Sequence, residues 1–483
     1  MKSVRTTSVL ALSCISLLTA CSSATSGAAA NQSSTAPATS ASPGTTAPAV
    51  SPTDTASSSA PADEPVTISV SVDAGLKPEA IAAIDTQIKQ FQTKYPNITV
   101  KHVEYTWTAP TFTAKLAGGT LPTVFTFAFT DGRALIAQHQ IADISAEVAK
   151  LPYAAAFNKN VAAEGSSADG KIEAIPISAY GQALHYNRAM FTAAGLDPTK
   201  PPTSWEEVRT DAKKIADATH QAGYGHMTQG NTGGWILSTE AYARGGRMES
   251  EDGKTATVNN DGTKKALQLL HDMRWTDNSL GANFGYDWNG INQAFAAGRV
   301  GMYITGGGTY TNLVTQNNIK PEDYGLSILP LDGDKAAVLG GGTLAAVSAK
   351  ASPAEQAAAV KWIDWYYLGK LTTQDGAVLD AKTNSEAKNP VGAPQLPIFD
   401  KATFDQVSAW TKQYVNVPLA QMTAYTSQAD QQVLAPEPAV ETQKLYATLD
   451  PVVQAVLTNK DANIDQLLTD ANTKVQGILD KAK

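Results

Sequence analysis

Val66-Thr67-Ile68-Ser69-Val70-Ser71-Val72 opens the first patterned stretch of this 483-residue chain. Apolar residues alternate with hydroxyl-bearing ones, the period of a strand with one buried face. Ile81, Ile84, Ile88, Phe91 and Tyr95 then recur at intervals of three and four, one face of an amphipathic helix. Pro96 ends that helix, and Ile98-Thr99-Val100 resumes as strand. A strand, a helix and a returning strand make a βαβ unit whose strands run parallel. The mixture continues downstream. Residues 117–122, with Gly118, Gly119 and Pro122, break a helix before the strand expected at 123–127. Ser204-Trp205-Glu206-Glu207 has capping-box spacing, with Trp205, Val208, Ala212 and Ile215 following on one face. Ile464, Leu467, Leu468, Ala471, Val475, Ile478 and Leu479 give a closing amphipathic helix. The pattern reads as α/β. Residues 66–483 exceed the size at which single cores stop growing, so two lobes are expected. No internal repeat is present at a period of 20–50 residues.

Upstream of this body the chain changes character. Lys2 and Arg5 precede a mostly apolar run over 9–18, the layout of a secretory signal. Leu18-Thr19-Ala20-Cys21 follows and resembles the lipobox of bacterial lipoproteins. That resemblance implies removal of residues 1–20 and acylation of Cys21. Cys14 is the other of only two cysteines and would leave with the signal, so the body is expected to hold no disulfide, thiol nucleophile or cysteine-based metal site. Residues 22–65 are nearly all Ser, Thr, Ala, Pro and Gly, too poor in apolar side chains to offset ordering entropy. They read as a spacer that reaches on the order of 140 Å when extended. No later run approaches ~18 apolar residues, so the membrane is expected to be met through lipid alone. With 37 basic against 45 acidic residues and no Lys/Arg block, the footprint of a nucleic-acid binder is missing.

Five stretches, in order, are similar to one family. They are Phe91-Gln92-Thr93-Lys94-Tyr95-Pro96-Asn97-Ile98; Leu116-Ala117-Gly118-Gly119-Thr120-Leu121-Pro122-Thr123-Val124, with Thr123 where the family usually has Asp; Gly170-Lys171-Ile172 through Ile175-Pro176 to Tyr186-Asn187; Gly195-Leu196 with Pro202-Thr203-Ser204-Trp205; and Ala294-Phe295 with Gly298-Arg299-Val300-Gly301-Met302. Together they resemble the extracellular sugar-binding proteins of ABC importers, the family that includes maltose-binding protein. The resemblance implies a two-lobed, type II-like periplasmic-binding-protein fold with several strands crossing between the lobes. By position the crossings fall near 178–182, 339–342 and 389–392. The lobes are then 66–180 plus 343–390, and 181–342 plus 391–483. The family further implies a carbohydrate ligand held by hinge closure and no catalysis or cofactor. It implies a monomer at the outer face of the cell membrane, with permease subunits driven by cytoplasmic ATPases as partners.

A sugar presents hydroxyls, which need paired donors and acceptors, and C–H faces, which stack on flat rings. Of the eight tryptophans, Trp205, Trp275, Trp362 and Trp365 have helical packing positions. Trp107, Trp235, Trp288 and Trp410 stand among polar or glycine neighbours. Trp235, in Gly233-Gly234-Trp235, falls where the family places a stacking aromatic. Trp288 is a second candidate, with Tyr286 two residues before it another, and Trp107 a further one. Phe127 and Asp131 follow the Pro122 strand where the family has an aromatic and a carboxylate, with Thr130 a rival to Asp131. Tyr180 falls at the first crossing, as a ligand contact or a hinge-strand core residue. Asp73, at the end of the first strand, is a further ligand-binding candidate. The family's Gly-x-Trp after its Ala-Met motif is absent; Tyr310 either substitutes or the cleft is more open there. Gly341 and Gly342 are read as hinge glycines.

Competing motifs are weaker. Gly340-Gly341-Gly342-Thr343-Leu344-Ala345 formally fits a dinucleotide fingerprint, yet strand rather than helix is expected to follow. Ser385-Glu386-Ala387-Lys388 lacks the companion motifs of penicillin-binding enzymes. The six histidines show no zinc spacing, and no metal is expected. The rivals from other classes are a secreted glycoside hydrolase, which needs two carboxylates at fixed separation, a tethered adhesin, and a binding protein for a non-sugar solute.

Overall fold

A computed structural model describes residues 64–76, 78–306, 309–429 and 432–482. The expected signal 1–20, Cys21 and nearly all of the spacer lie outside the described residues. Among the described residues the strands are β1 (Val66–Val72), β2 (Ile98–Glu104), β3 (Val124–Ala128), β4 (Ile175–Asn187), β5 (Ala222–Gly225), β6 (Val300–Gly306), β7 (Tyr324–Ile328), β8 (Val338–Val347) and β9 (Leu434–Ala435).

The opening βαβ unit forms. Helix Pro78–Lys94 joins β1 to β2, which pair in parallel from Val66 opposite Ile98 to Val72 opposite Glu104. Ile84, Ile88 and Phe91 are buried beneath the helix, as the three-four spacing requires. β3 lies parallel to β1 on its other side. The carboxyl ends of the three strands therefore meet at one edge, which in open α/β sheets is where ligands bind.

Two long strands carry the chain between two cores. β4 and β8 run antiparallel over Ile175–Gly181 and Gly340–Ala345, and β8 continues the sheet to β3. From Gln182 onward β4 pairs instead with β6 and β7, and β6 with β5. On β4 the side chains pass from the first core to the second between Ala179 and Ala183; on β8 they pass back between Leu339 and Leu344. Residues 343–347 are strand, which removes the dinucleotide reading. A Cβ on Gly341 would lie 2.5 Å from the Tyr180 ring, and one on Gly342 would lie 2.3 Å from the Ser178 carbonyl oxygen. These glycines serve close strand approach; neither has a positive φ.

After the crossing read at 389–392 the chain does reach the second core, where Ala393 packs, but it does not stay there. Ile398 and Phe399 belong to the first core, and helix Lys401–Thr411 packs on helix Gln374–Glu386 of the same side. Val417 then joins the second core. The excursion returns beside its start: Asn416 Nδ2 donates to the Asn389 carbonyl, and Val391 N donates to Asn416 Oδ1, both at 2.8 Å. Helix Lys401–Thr411 buries no residue fully, so its own pattern did not reveal which core holds it.

Candidate functional site: a cleft between two cores

The carboxyl edge of β1, β2 and β3 forms one wall. Asp73, at the end of β1, is exposed; nearby protein still raises its carboxyl pKa, partly offset by a bond from Thr106. Tyr105 and Trp107 follow β2. Asp131 sits in the first turn of helix Phe129–Ala137, where negative charge is favoured. The Trp107 indole N–H donates to Asp131 Oδ2 at 3.1 Å. Burial pushes the Asp131 carboxyl up to about 7; the Trp107 bond opposes this and Glu441 adds to it. Arg133, on the same helix, is committed to Glu164 at 2.7 Å.

The second core supplies the facing wall. Trp235, half-buried on helix Thr232–Tyr242, donates its indole N–H to Glu437 Oε1 at 3.2 Å. The Tyr446 hydroxyl donates to the other oxygen of Glu437. Glu437 is 5% exposed, and burial pushes its carboxyl up to about 8, lowered by Tyr446 and raised by Glu164 and Asp131. The Tyr180 ring meets that of Trp235 edge-on, centroids 6.5 Å apart. The walls touch directly. Gln443 Nε2 donates to Thr130 Oγ1 at 2.8 Å, and Asn231 Nδ2 donates to Gln443 Oε1 at 2.9 Å.

The structure thus brings Trp107, Asp131, Thr130, Tyr180 and Trp235 to the junction of the cores, with Asp73 at the edge of the first wall. Other candidates go elsewhere. Phe127 is 1% exposed and stacks on Phe112 at 5.7 Å; β3 lies between β1 and β8 and is covered on both faces, so it has no outward aromatic. Tyr310 is buried against Tyr324 at 4.7 Å, because its helix turns it into the second core. Tyr286 is buried, its carbonyl accepting from the Thr228 and Gln229 amides. In this structure all three are buried packing side chains, away from the junction where they were expected. Trp288 is half-buried and donates to Thr305 Oγ1 at 3.2 Å within the second core. Trp410 lies on helix Lys401–Thr411. Among the described residues no group of three or more His, Cys, Asp or Glu is placed to hold a metal.

Glu437, Gln443, Tyr446 and Tyr105 were missed. Pro436-Glu437-Pro438 was the available signal: a carboxylate between two residues of fixed φ.

Paired indoles and carboxylates on two facing walls can accept hydroxyls and stack against C–H faces, the chemistry of a binding cleft. The fold and this cleft define a two-lobed α/β binding protein. The chain belongs to the bacterial extracellular solute-binding protein family, whose profile matches residues 86–377. A binding protein of Brucella abortus strain 2308 is 29% identical over 172 residues, covering 34% of this chain and 38% of that one. The sn-glycerol-3-phosphate-binding periplasmic protein UgpB of Yersinia pseudotuberculosis is 26% identical over 190 residues, 37% of this chain and 41% of that one. The chain therefore matches about two fifths of the length of these curated relatives. An ABC transporter solute-binding protein of Thermotoga lettingae, solved with bound alpha-D-tagatose, superposes with a TM-score of 0.69 at 20% identity, covering 86% of this chain and 99% of that one. It shares the fold.

Proposed function

We propose that this chain is the binding component of an ABC importer and captures a sugar or polyol between its lobes without chemical change. One observation carries the reading. Trp107 and Trp235, on facing walls, each spend their indole N–H on a carboxylate. Both rings are only half-buried, so ring surface remains for the C–H face of a sugar, and Asp131 keeps an oxygen for its hydroxyls. The tagatose-bound structural neighbour supports this. A phosphate ligand, as the UgpB name indicates for that relative, finds less support: Arg133 is paired with Glu164 and Lys444 with Glu441.

In this reading the lobes are 66–180 plus 343–411, and 181–342 plus 412–483. β4, β8 and the 412–417 passage form the hinge, with Gly341 and Gly342 at its centre. Trp107, Asp131 and Thr130 bind from one lobe, Trp235, Glu437 and Gln443 from the other, with Tyr180 between them and Asp73 at the rim. Closure shifts a population toward the form that permease subunits engage. The signal 1–20, acylated Cys21 and spacer would hold the body at the outer face of the membrane, where effective concentration beside the permease is high. A thermal-shift screen against carbohydrates, polyols, amino acids and organophosphates tests the reading. Stabilisation by a saccharide is expected; stabilisation by an organophosphate alone would overturn the ligand class. Turnover of a chromogenic glycoside would favour the hydrolase instead.

A further inference from the structure

The charge at the junction of the walls is unbalanced. Asp131, Glu164, Glu249, Glu437 and Glu441 influence one another or Arg133 across it. Two cations there are already paired, Arg133 with Glu164 at 2.7 Å and Lys444 with Glu441 at 2.8 Å, and Lys115 Nζ lies 5.9 Å from the centre of the Tyr105 ring. Glu249 accepts the Ala439 and Val440 amides. Asp131 and Glu437 are left with indole and hydroxyl donors and no cation.

A second, independent feature points into the same place. Tyr105 is 4% exposed and its hydroxyl has no hydrogen-bond partner, although Asp131 is near enough to raise its pKa. A buried polar atom left unpaired is costly and calls for an explanation. Here a donor-rich group between Tyr105 Oη and Asp131 would satisfy both. The flanking Trp107 and Trp235 rings supply the faces that attract organic cations.

From this placement we propose that the ligand of the cleft carries a protonated amine: an amino sugar or an aminated oligosaccharide, with the ammonium held by Asp131, Tyr105 and Glu437. The inference rests on the cleft being the binding site. An anionic or neutral ligand leaves Asp131 and Glu437 as carboxyls of raised pKa with no cation beside them. An ammonium compensates them. It also draws Asp131 and Glu437 into their ionised forms, so binding near pH 7 releases protons.

Matched pairs test this on the full chain: glucosamine and chitosan oligosaccharides against their N-acetylated counterparts, with glucose, maltose and cellobiose as neutral controls. Calorimetry in two buffers of different ionisation enthalpy reads affinity and proton release together. The amine is expected to bind at least about tenfold more tightly than its acetylated partner, with net proton release. Equal or tighter binding of any acetylated or neutral sugar overturns this inference and leaves the proposed function standing. Failure of every saccharide removes both. In Asp131→Asn the amine preference is expected to fall by at least about threefold. An unchanged preference in a variant of normal thermal midpoint would also overturn the assignment. Tyr105→Phe supplies a second reading if Asp131→Asn fails to fold, and should likewise cut amine affinity more than acetylated affinity.

Discussion

Replacing Gln443 by Ala should open the molecule. Its amide joins three elements: Nε2 donates to Thr130 Oγ1 at 2.8 Å across the cleft, and Oε1 accepts from Asn231 at 2.9 Å. The bond to Thr130 is part-buried and present only when the walls meet. A net hydrogen bond of this kind contributes about 0.5–1.5 kcal/mol. In the variant the Thr130 hydroxyl and Asn231 amide regain water on opening, so nothing opposes the loss. The open-to-closed ratio should rise about two- to thirteenfold. The chain's cysteines are Cys14 and Cys21 alone, so labels can be placed on each lobe of a body starting at 66 without removing native thiols. Double electron–electron resonance would then read the inter-lobe distance distribution. A shift toward longer distances in Gln443→Ala, reversed by ligand, is expected. An unchanged distribution would refute the view that this bridge holds the walls together.

Other perturbations separate packing from binding. Phe127→Ala should cost about 3–5 kcal/mol in urea unfolding, as for large core aromatics, while leaving the affinity of the folded fraction nearly intact; a selective loss of affinity would restore it to the site. Gly341→Ala should destabilise by roughly 1–3 kcal/mol, because the new methyl would lie 2.5 Å from the Tyr180 ring, and wild-type stability would contradict that crowding. Stability should depend on pH through Glu437, held at about 8, and Asp131, held at about 7. Both are raised, so the folded state binds the extra protons. Their contribution is complete below the ordinary carboxyl range and is lost as pH rises toward 8. The thermal midpoint should therefore fall across pH 5–8, and Glu437→Gln should flatten that slope; an undiminished slope in the variant would remove Glu437 as its source.

The parts of this protein that were readable in sequence are those where a period has a physical cause. Alternation over Val66–Val72 and the three-four spacing before Pro96 gave the βαβ unit, because a half-buried strand and a half-buried helix must show those periods. Trp107 and Trp235 stand out among polar or glycine neighbours, and Asp131 and Trp235 are the positions that the family resemblance implies; the structure puts all three at the junction of the cores. Phe127 was carried over from the family's aromatic position, and alternation offers no check on it, because β3 is interior to the sheet and no longer separates inward from outward. Tyr310 was misplaced because a missing motif tryptophan invited a substitute. Glu437 comes from a Pro-flanked loop, while Gln443 and Tyr446 lie on helix Thr442–Thr458, whose three-four apolar spacing marks packing and not a site. They reach the site only through the fold that brings residues 437–446 opposite 130–131. The excursion 396–411 escaped for the same reason, its helix being held by half-buried contacts.

The central claim is that ligand is held between the walls by aromatic side chains from both. Isothermal titration of one stabilising saccharide into Trp107→Ala and Trp235→Ala tests it most directly. Each substitution is expected to weaken binding by about 1–3 kcal/mol, a factor of about 5 to 160, with the fold retained. Full affinity in either variant would show that its wall does not hold the ligand and would contradict the account.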